Sequence, residues 1–269
     1  MQRILTKVIV VATIAVAPAV GISHAINAAS PASVHGVKPA AGSSCPAMPK
    51  RAPRGYRIAV KDHFSGSSLS SRTWFRWSGE PGGDPYGWWK TGRHITTGRM
   101  LDLHGKWVTS GGNPTWTNGG EITGGVGTRH AQTYGEYQWC MRSVNMLGTS
   151  TIVLLWPKSG HWPPEIDWYE SDGDPTWYTM TVHYGTPQAN YAVQKTVTGR
   201  DATTWHVFTA MWKHDFIQLR EDGAVVSTII SSHVPSEPMR LDFQTQAIGP
   251  NAAVGDTDVG WVVEYTKTT

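Results

Sequence analysis

The sequence lacks the motifs that mark several large classes of enzyme. It contains no His-Glu-x-x-His zinc motif and no Gly-x-Ser-x-Gly turn, and residues 98–106 do not have the spacing of a phosphate loop. These absences argue against a zinc protease, a serine hydrolase and a nucleotide-binding enzyme. No window of a dozen residues keeps an apolar stripe with a period of 3.6 residues, so we expect helices to be few and short.

An excess of charge of one sign is also absent. The 269 residues include 23 Lys and Arg against 20 Asp and Glu, a formal net charge of +3. A nucleic-acid surface needs a concentrated basic patch or stripe, whereas the basic residues here are scattered along the chain. The sequence therefore predicts no nucleic-acid partner.

Only one long apolar run is present, and it lies near the N-terminus. Residues Val8–Val20 follow Arg3 and Lys7 and precede the small residues of Ser23-His24-Ala25, which is the pattern of a secretory signal peptide. The run is shorter than the roughly 20 residues that a membrane-spanning helix needs. We expect residues 1–25 to be a signal peptide, which predicts a secreted, extracellular protein with no membrane attachment after cleavage.

The next segment is rich in Ala, Pro, Ser and Gly and has almost no apolar periodicity, a composition typical of linkers. We expect a linker over residues 26–55 and a folded domain over residues 56–269. A single all-β domain of this length is common, and no second linker interrupts it. The size of the domain and the leader peptide indicate a monomer that acts outside the cell.

Cysteine occurs only twice, as Cys45 and Cys140. In an exported chain the two residues can form a disulfide that ties the end of the linker to the domain. The alternative is two free thiols, one of them buried in a strand. The sequence does not show whether the two cysteines are close in space.

The domain reads as short strands separated by turns. Runs rich in Trp, Tyr, Val, Ile and Thr alternate with Gly, Pro, Asn and Asp, which predicts two packed antiparallel sheets. Asp222-Gly223 supplies the positive φ angles of a tight hairpin turn. The clearest predicted strands are Met100–His104, Tyr134–Met141, Thr151–Trp156, Trp177–Tyr184, His206–Trp212, Phe216–Glu221 and Val259–Tyr265.

Three carboxylates lie within six residues, in Glu165-Ile-Asp-Trp-Tyr-Glu170. On a regular strand Glu165 and Asp167 point to one face and Glu170 to the other. A β-bulge between Asp167 and Glu170 would bring all three to one face, and bulges are frequent beside active sites. Two carboxyl groups about 5 to 5.5 Å apart can act as the nucleophile and the acid/base of a retaining glycosidase. The alternative is a solvent-exposed acidic strand, but large aromatic residues alternate with these acids.

Aromatic residues surround the acids, and 14 tryptophans are present in the chain. Trp139, Trp212 and Trp261 lie inside alternating strands and are expected to fill the core. Trp156, Trp162 and Trp116 lie in or beside turns, where their flat faces can stack on sugar rings. These three residues and His183, which ends the strand after the acids, are our candidates for substrate binding.

No cofactor or metal is predicted. Asp172-Gly173-Asp174 offers oxygen ligands for calcium, but one short Asp-rich turn lacks the 6 to 8 ligands that calcium takes. We interpret the segment as a turn, and a structural calcium remains an open alternative.

Several segments together resemble glycoside hydrolase family 16. Glu165–Glu170 is similar to its Glu-x-Asp-x-x-Glu signature, and three other strands resemble family strands in family order: Tyr134–Tyr137, Thr181–Gly185 and Trp205–Trp212. The six-residue signature resembles that of laminarinase-like members. Pro163-Pro164 and Cys140 depart from common family residues, so the chain resembles a divergent member.

The resemblance implies a curved β-jelly-roll with a concave substrate cleft and retaining hydrolysis of internal β-linkages in a polysaccharide, with β-1,3-glucan as the first substrate. It assigns Glu165 as nucleophile, Asp167 as the orienting acid and Glu170 as general acid/base. Two alternatives stay open from the sequence. A non-catalytic, lectin-like domain has no need of both Glu165 and Glu170, whereas a transglycosylase would use the same residues.

Overall fold

All the regular secondary structure of the described residues is β-strand. The computed structural model describes residues 44–82, 86–92, 94–109, 119–144, 149–249 and 255–268, which lie within a compact unit spanning Gly36–Thr269. These described residues include no α-helix, as the missing helical periodicity predicts. Accordingly, none of them belongs to a helix that could span a bilayer.

Eighteen strands occur among the described residues. In chain order they are β1 (Tyr56–Asp62), β2 (Trp74–Arg76), β3 (Gly87–Trp89), β4 (Ile95–Thr96), β5 (Leu101–His104), β6 (Lys106–Val108), β7 (Gly120–Thr123), β8 (Gly125–Thr128), β9 (Gly135–Val144), β10 (Thr149–Pro157), β11 (Glu165–Glu170), β12 (Trp177–Thr186), β13 (Ala189–Thr198), β14 (His206–Lys213), β15 (Phe216–Glu221), β16 (Ala224–Ile230), β17 (Met239–Ala247) and β18 (Asp256–Lys267).

Two large antiparallel sheets form the fold. The seven-stranded sheet has the order β13-β12-β11-β10-β17-β8-β2. The eight-stranded sheet has the order β16-β15-β14-β9-β18-β5-β4, and β1 pairs with β18 beside it. A small third sheet, β3-β7-β6, contains a parallel pair, β3 and β7. The predicted all-β class with two packed antiparallel sheets is confirmed.

The hydrophobic core lies between the two large sheets because each sheet turns one apolar face inward. Trp139 and Trp212 of the eight-stranded sheet and Trp168 of the seven-stranded sheet are fully buried there. Burial of a large apolar side chain stabilises the fold by about 1.5 to 3 kcal/mol. The core roles predicted for Trp139 and Trp212 are confirmed, and Trp261 is buried in a second cluster on the outer face of the eight-stranded sheet.

The second cluster also contains the N-terminal segment. Cys45 and Cys140 form a disulfide with a Cα–Cα distance of 6.0 Å, and the indole of Trp261 donates a hydrogen bond to the carbonyl oxygen of Pro46 at 2.8 Å. Met48 and Ala52 pack against the same cluster. The packed structure therefore begins before the predicted domain boundary at residue 56. Linker-like composition hides the few apolar side chains that pack here.

The hairpin between β15 and β16 is present as predicted. Asp222 and Gly223 have φ angles of 49° and 80°, the left-handed region that Asp and Gly tolerate better than most residues. The turn joins adjacent strands of the eight-stranded sheet.

Candidate active site

A β-bulge in β11 brings the three acids to one face. Asp167 pairs with Thr181 of β12 and Glu170 pairs with Thr179, so Trp168 and Tyr169 together face one residue of β12. Trp168 and Tyr169 both enter the core. Glu165, Asp167 and Glu170 therefore share the opposite face of the seven-stranded sheet, which we call the cleft face. The predicted bulge is present.

Glu165 and Asp167 lie at the floor of this face and are held by directed contacts. The Trp162 indole Nε1 donates a hydrogen bond to Glu165 Oε2 at 2.7 Å. His183 Nε2 lies 3.1 Å from Asp167 Oδ2, and an oxygen of Glu165, an oxygen of Asp167 and a ring nitrogen of His183 all lie within 4.8 Å of one another. The Trp162 and His183 rings are 5.9 Å apart. The acids, Trp162 and His183 thus form one connected group.

The three acids differ in environment. Burial, followed by the charge of Asp167, raises the pKa of Glu165 well above its usual range. Burial, followed by the charge of Glu170, does the same to the pKa of Asp167. Glu170 is only half-buried, and burial together with the nearby Asp172 charge raises its pKa to about 7. Near neutral pH Glu170 is therefore poised to exchange a proton with its surroundings.

Glu165 and Asp167 differ in their surroundings. Glu165 receives the Trp162 N–H, a donor that favours its ionised form. Asp167 is the more deeply buried of the two, at 3% exposed against 9%. Burial thus favours the neutral form at both acids, and the Trp162 hydrogen bond opposes this effect at Glu165.

Comparison with known proteins agrees with this geometry. The model of the family described as "Glycosyl hydrolases family 16" matches residues 88–263. The chain belongs to glycosyl hydrolase family 16. The resemblance inferred from the acid signature is confirmed.

The family 16 chain has distant curated relatives. It is 28% identical over 128 residues to the endo-1,3-1,4-beta-glycanase ExsH of Rhizobium meliloti, an alignment that covers 46% of this chain and 28% of the relative. The matched part thus spans little more than a quarter of that relative's length.

Solved structures share the fold. The laminarinase catalytic domain from Thermotoga maritima superposes with a TM-score of 0.63 at 14% identity, covering 80% of this chain and 99% of that one. Porphyranase B from Zobellia galactanivorans superposes with a TM-score of 0.65 at 17% identity, covering 82% and 98%. These matches confirm the predicted β-jelly-roll sandwich for this family 16 chain.

Three of the four predicted substrate-binding residues lie among the described residues. Trp162 and His183 contact the acids directly, and Trp156 lies half-buried on β10 of the same sheet. Trp116 lies outside the described residues, so its predicted role stays a prediction. Trp156 is in edge contact with the indole of Trp77, with ring centroids 6.5 Å apart.

Several residues of the cleft face were missed in the sequence. Asp242 of β17 is aligned through Leu154 of β10 with Asp167, and it accepts a hydrogen bond from Trp77 Nε1 at 2.9 Å. The alternation of Arg240, Asp242 and Gln244 with core residues was the available signal. Alternation alone does not say which strand lies beside β10, so it could not connect these residues to the acids.

Three groups of side chains among the described residues have the ligand types and spacing to hold a metal ion. In each of them the histidine already lies within ion-pair distance of a carboxylate, so the geometry is accounted for without a metal. The groups are Glu165, Asp167 and His183; Asp102, His104 and Asp256; and His206, Glu221 and Asp222.

The Asp172-Gly173-Asp174 segment folds as a turn. Asp172 and Gly173 have φ angles of 43° and 76°. Asp174 Oδ1 accepts hydrogen bonds from the backbone nitrogen and hydroxyl of Thr176, at 2.8 and 2.6 Å. One carboxylate of the segment is therefore already engaged in closing the turn.

Proposed function

We propose that this chain is a secreted, endo-acting glycoside hydrolase that cleaves internal β-linkages of a polysaccharide by a retaining, double-displacement mechanism. The observation that carries the proposal is the bulged strand β11, which sets Glu165, Asp167 and Glu170 on one face of the sheet. Membership of glycosyl hydrolase family 16 supports the reaction class.

Glu170 is the proposed general acid and base. A general acid works best when its pKa lies near the working pH, and the pKa of Glu170 is raised to about 7. In the first step Glu170 donates its proton to the glycosidic oxygen as the bond from that oxygen to the anomeric carbon breaks. In the second step the same carboxylate takes a proton from water.

Glu165 is the proposed nucleophile. Its carboxylate attacks the anomeric carbon and forms a covalent glycosyl–enzyme ester, which water then hydrolyses. The hydrogen bond from Trp162 Nε1 supports the ionised form that this attack requires. Asp167, whose carboxyl oxygen lies within 4.8 Å of one of Glu165, is the proposed orienting acid, and His183 holds Asp167 in turn. The reaction uses only carboxyl groups and water, so we propose that it needs no cofactor.

The substrate we propose first is a β-1,3-linked glucan. The ExsH relative is named an endo-1,3-1,4-beta-glycanase, and the Thermotoga maritima neighbour is a laminarinase. The cleft face runs across seven strands with the acids on an inner strand, β11. A site away from the sheet edges favours cleavage inside a chain.

The leader predicted over residues 1–25 supports export, and the Cys45–Cys140 disulfide suits an oxidising compartment. We therefore propose that the mature protein acts outside the cell as a monomer, unattached to a membrane. A polymeric substrate is too large to enter a cell, which makes an extracellular hydrolase useful.

Reducing-end release tests the proposal. The purified mature chain is incubated with β-1,3-glucan, mixed-linkage β-glucan and galactans, with Glu165→Gln as the matched control. We expect release from at least one polymer and its loss in the variant. Cleavage that persists in Glu165→Gln would refute the mechanism, and binding without cleavage by the unmutated chain would favour a lectin-like domain.

A further inference from the structure

Asp242 is a fully buried carboxylic acid on the cleft sheet, and the proposed reaction does not use it. The side chain is 0% exposed, and burial raises its pKa well above the usual range, with a further contribution from the charge of Glu165. Burial of a carboxyl group costs free energy that an apolar side chain of similar size would not cost. A carboxyl group at this position therefore calls for a specific role.

Its position places it beneath the aromatic residues of the cleft. Asp242 Oδ2 accepts the Trp77 indole N–H at 2.9 Å, and within the described residues Oδ1 has no hydrogen-bond partner. Trp77 is half-buried and lies 6.5 Å from Trp156 and 5.9 Å from Trp89, measured between ring centroids. An indole ring has a flat apolar face, and its N–H is the one group by which a directed bond can fix its rotation.

Two glycines of β8 leave the room that this pair needs. A Cβ atom at Gly127 would lie 2.1 Å from Asp242 Oδ1 and 2.3 Å from the Phe75 ring. A Cβ atom at Gly125 would lie 3.2 Å from Trp77 and 3.3 Å from Trp89. Strand β8, which lies between Asp242 and these aromatic residues, therefore has glycine at both contact points.

The same face carries both Asp242 and the acids. Leu154 of β10 pairs with Asp167 on one side and with Asp242 on the other. A polysaccharide that crosses the strands at the acids therefore passes over Trp156 on β10 and then meets the Trp77 indole, which lies beside Trp156. Trp77 lies where a sugar ring several positions from the cleaved bond would stack.

We propose that Asp242 is a positioning residue that fixes the Trp77 indole as a stacking wall for a sugar ring of the polysaccharide. The inference rests on the function proposed above and deepens it, because it identifies residues that determine how tightly the substrate is held. Asp242 acts through Trp77 and does not touch the sugar, since it is fully buried.

Substitution of Asp242 by Leu or Asn separates this role from a structural one. Asp242→Leu removes the acceptor and fills the site with an apolar group, so we expect KM for a β-1,3-linked glucose hexasaccharide to rise by roughly fivefold to tenfold with little change in kcat. Asp242→Asn keeps an oxygen that accepts the indole N–H, so its KM should stay within about twofold of the parent value. Trp77→Phe should raise KM as Asp242→Leu does, and the double variant should show no further rise.

The same comparison is made by calorimetric titration of the hexasaccharide into Glu165→Gln protein, with and without Asp242→Leu. Weaker binding in the Asp242→Leu protein supports the inference independently of turnover. The inference would be overturned if the two proteins bound the hexasaccharide equally or if neither bound it. It would also be overturned if Asp242→Leu raised KM as much in the Trp77→Phe background as in the parent protein. Cleavage that survives in Glu165→Gln would contradict the proposed mechanism alone. Should Asp242→Leu not fold, an unchanged KM in Trp77→Phe would suffice to overturn the inference.

Discussion

Glu170 is the least buried of the three acids on β11, and this difference separates its role from those of its neighbours. Its side chain is half-buried on the cleft face, where a substrate oxygen or a water molecule can exchange a proton with it. Glu165 and Asp167 lie deeper, with one carboxyl oxygen of each within 4.8 Å of the other. One short segment thus contains both the proton donor and the nucleophile of the proposed reaction.

The raised pKa of Glu170 predicts the alkaline limb of the pH profile. Its carboxyl group is protonated below about pH 7 and loses its proton above that pH, so kcat/KM should fall about tenfold per pH unit on the alkaline side. Initial rates of reducing-end release between pH 5 and pH 10 measure this limb. Asp174→Asn, which alters a half-buried acid of the following turn that does not contribute to the raised pKa of Glu170, is the matched control and should leave the profile unchanged. A wild-type profile flat through pH 10 would rule out Glu170 as the acid.

The sequence was sufficient to find the acids and their neighbours Trp162 and His183, but not Asp242 and its partner Trp77. Glu165, Asp167 and Glu170 stand close together in the chain, so a local pattern reveals them. Trp77 is separated from Asp242 by 165 residues, and only the strand order brings the two together. Contacts of this kind depend on sheet register, which alternation within one strand does not specify.

At the scale of elements, the bulge of β11 could be predicted because the local residue pattern indicates it. Two successive large aromatic residues, Trp168 and Tyr169, interrupt the alternation of acids and apolar residues, and both enter the core. The hairpin turn at Asp222-Gly223 could also be predicted, because two adjacent residues are enough to indicate it. The N-terminal segment was not predictable in the same way, because Met48 and Ala52 have too few apolar neighbours in the chain to indicate packing.

The disulfide between this segment and β9 should stabilise the fold without taking part in catalysis. It closes a loop with a sequence separation of 95 residues, and native disulfides typically contribute about 2 to 4 kcal/mol. The double variant Cys45→Ser, Cys140→Ser should therefore lose about that much free energy of unfolding, measured by urea denaturation.

Cys140 belongs to the outer face of the eight-stranded sheet, whereas the acids lie on the seven-stranded sheet. The folded double variant should therefore keep the parent kcat/KM within about twofold. An unchanged unfolding free energy would contradict the stabilising role. Loss of activity in a fully folded double variant would contradict the prediction that the disulfide takes no part in catalysis.

At the scale of the whole molecule, the fold explains why distant strands were recognisable in order. In a sandwich each strand turns one apolar face inward, so apolar and polar residues alternate along most strands of the domain. This alternation can be seen in the sequence. The pairing of β17 with β10, which completes the cleft face, joins strands far apart in the chain. The fold class could thus be predicted from the sequence, and the composition of the cleft required the structure.

The central claim is that Glu165 attacks the anomeric carbon while Glu170 handles the proton, and azide rescue tests both roles at once. An aryl β-glycoside of a β-1,3-linked glucose oligomer is given to Glu165→Ala and Glu170→Ala in the presence of sodium azide, and the product configuration is read by proton NMR. We expect an α-glycosyl azide from Glu165→Ala, because azide replaces the missing nucleophile, and a β-glycosyl azide from Glu170→Ala, because azide attacks the covalent intermediate. Exchanged configurations, or no rescue in either variant, would contradict the account.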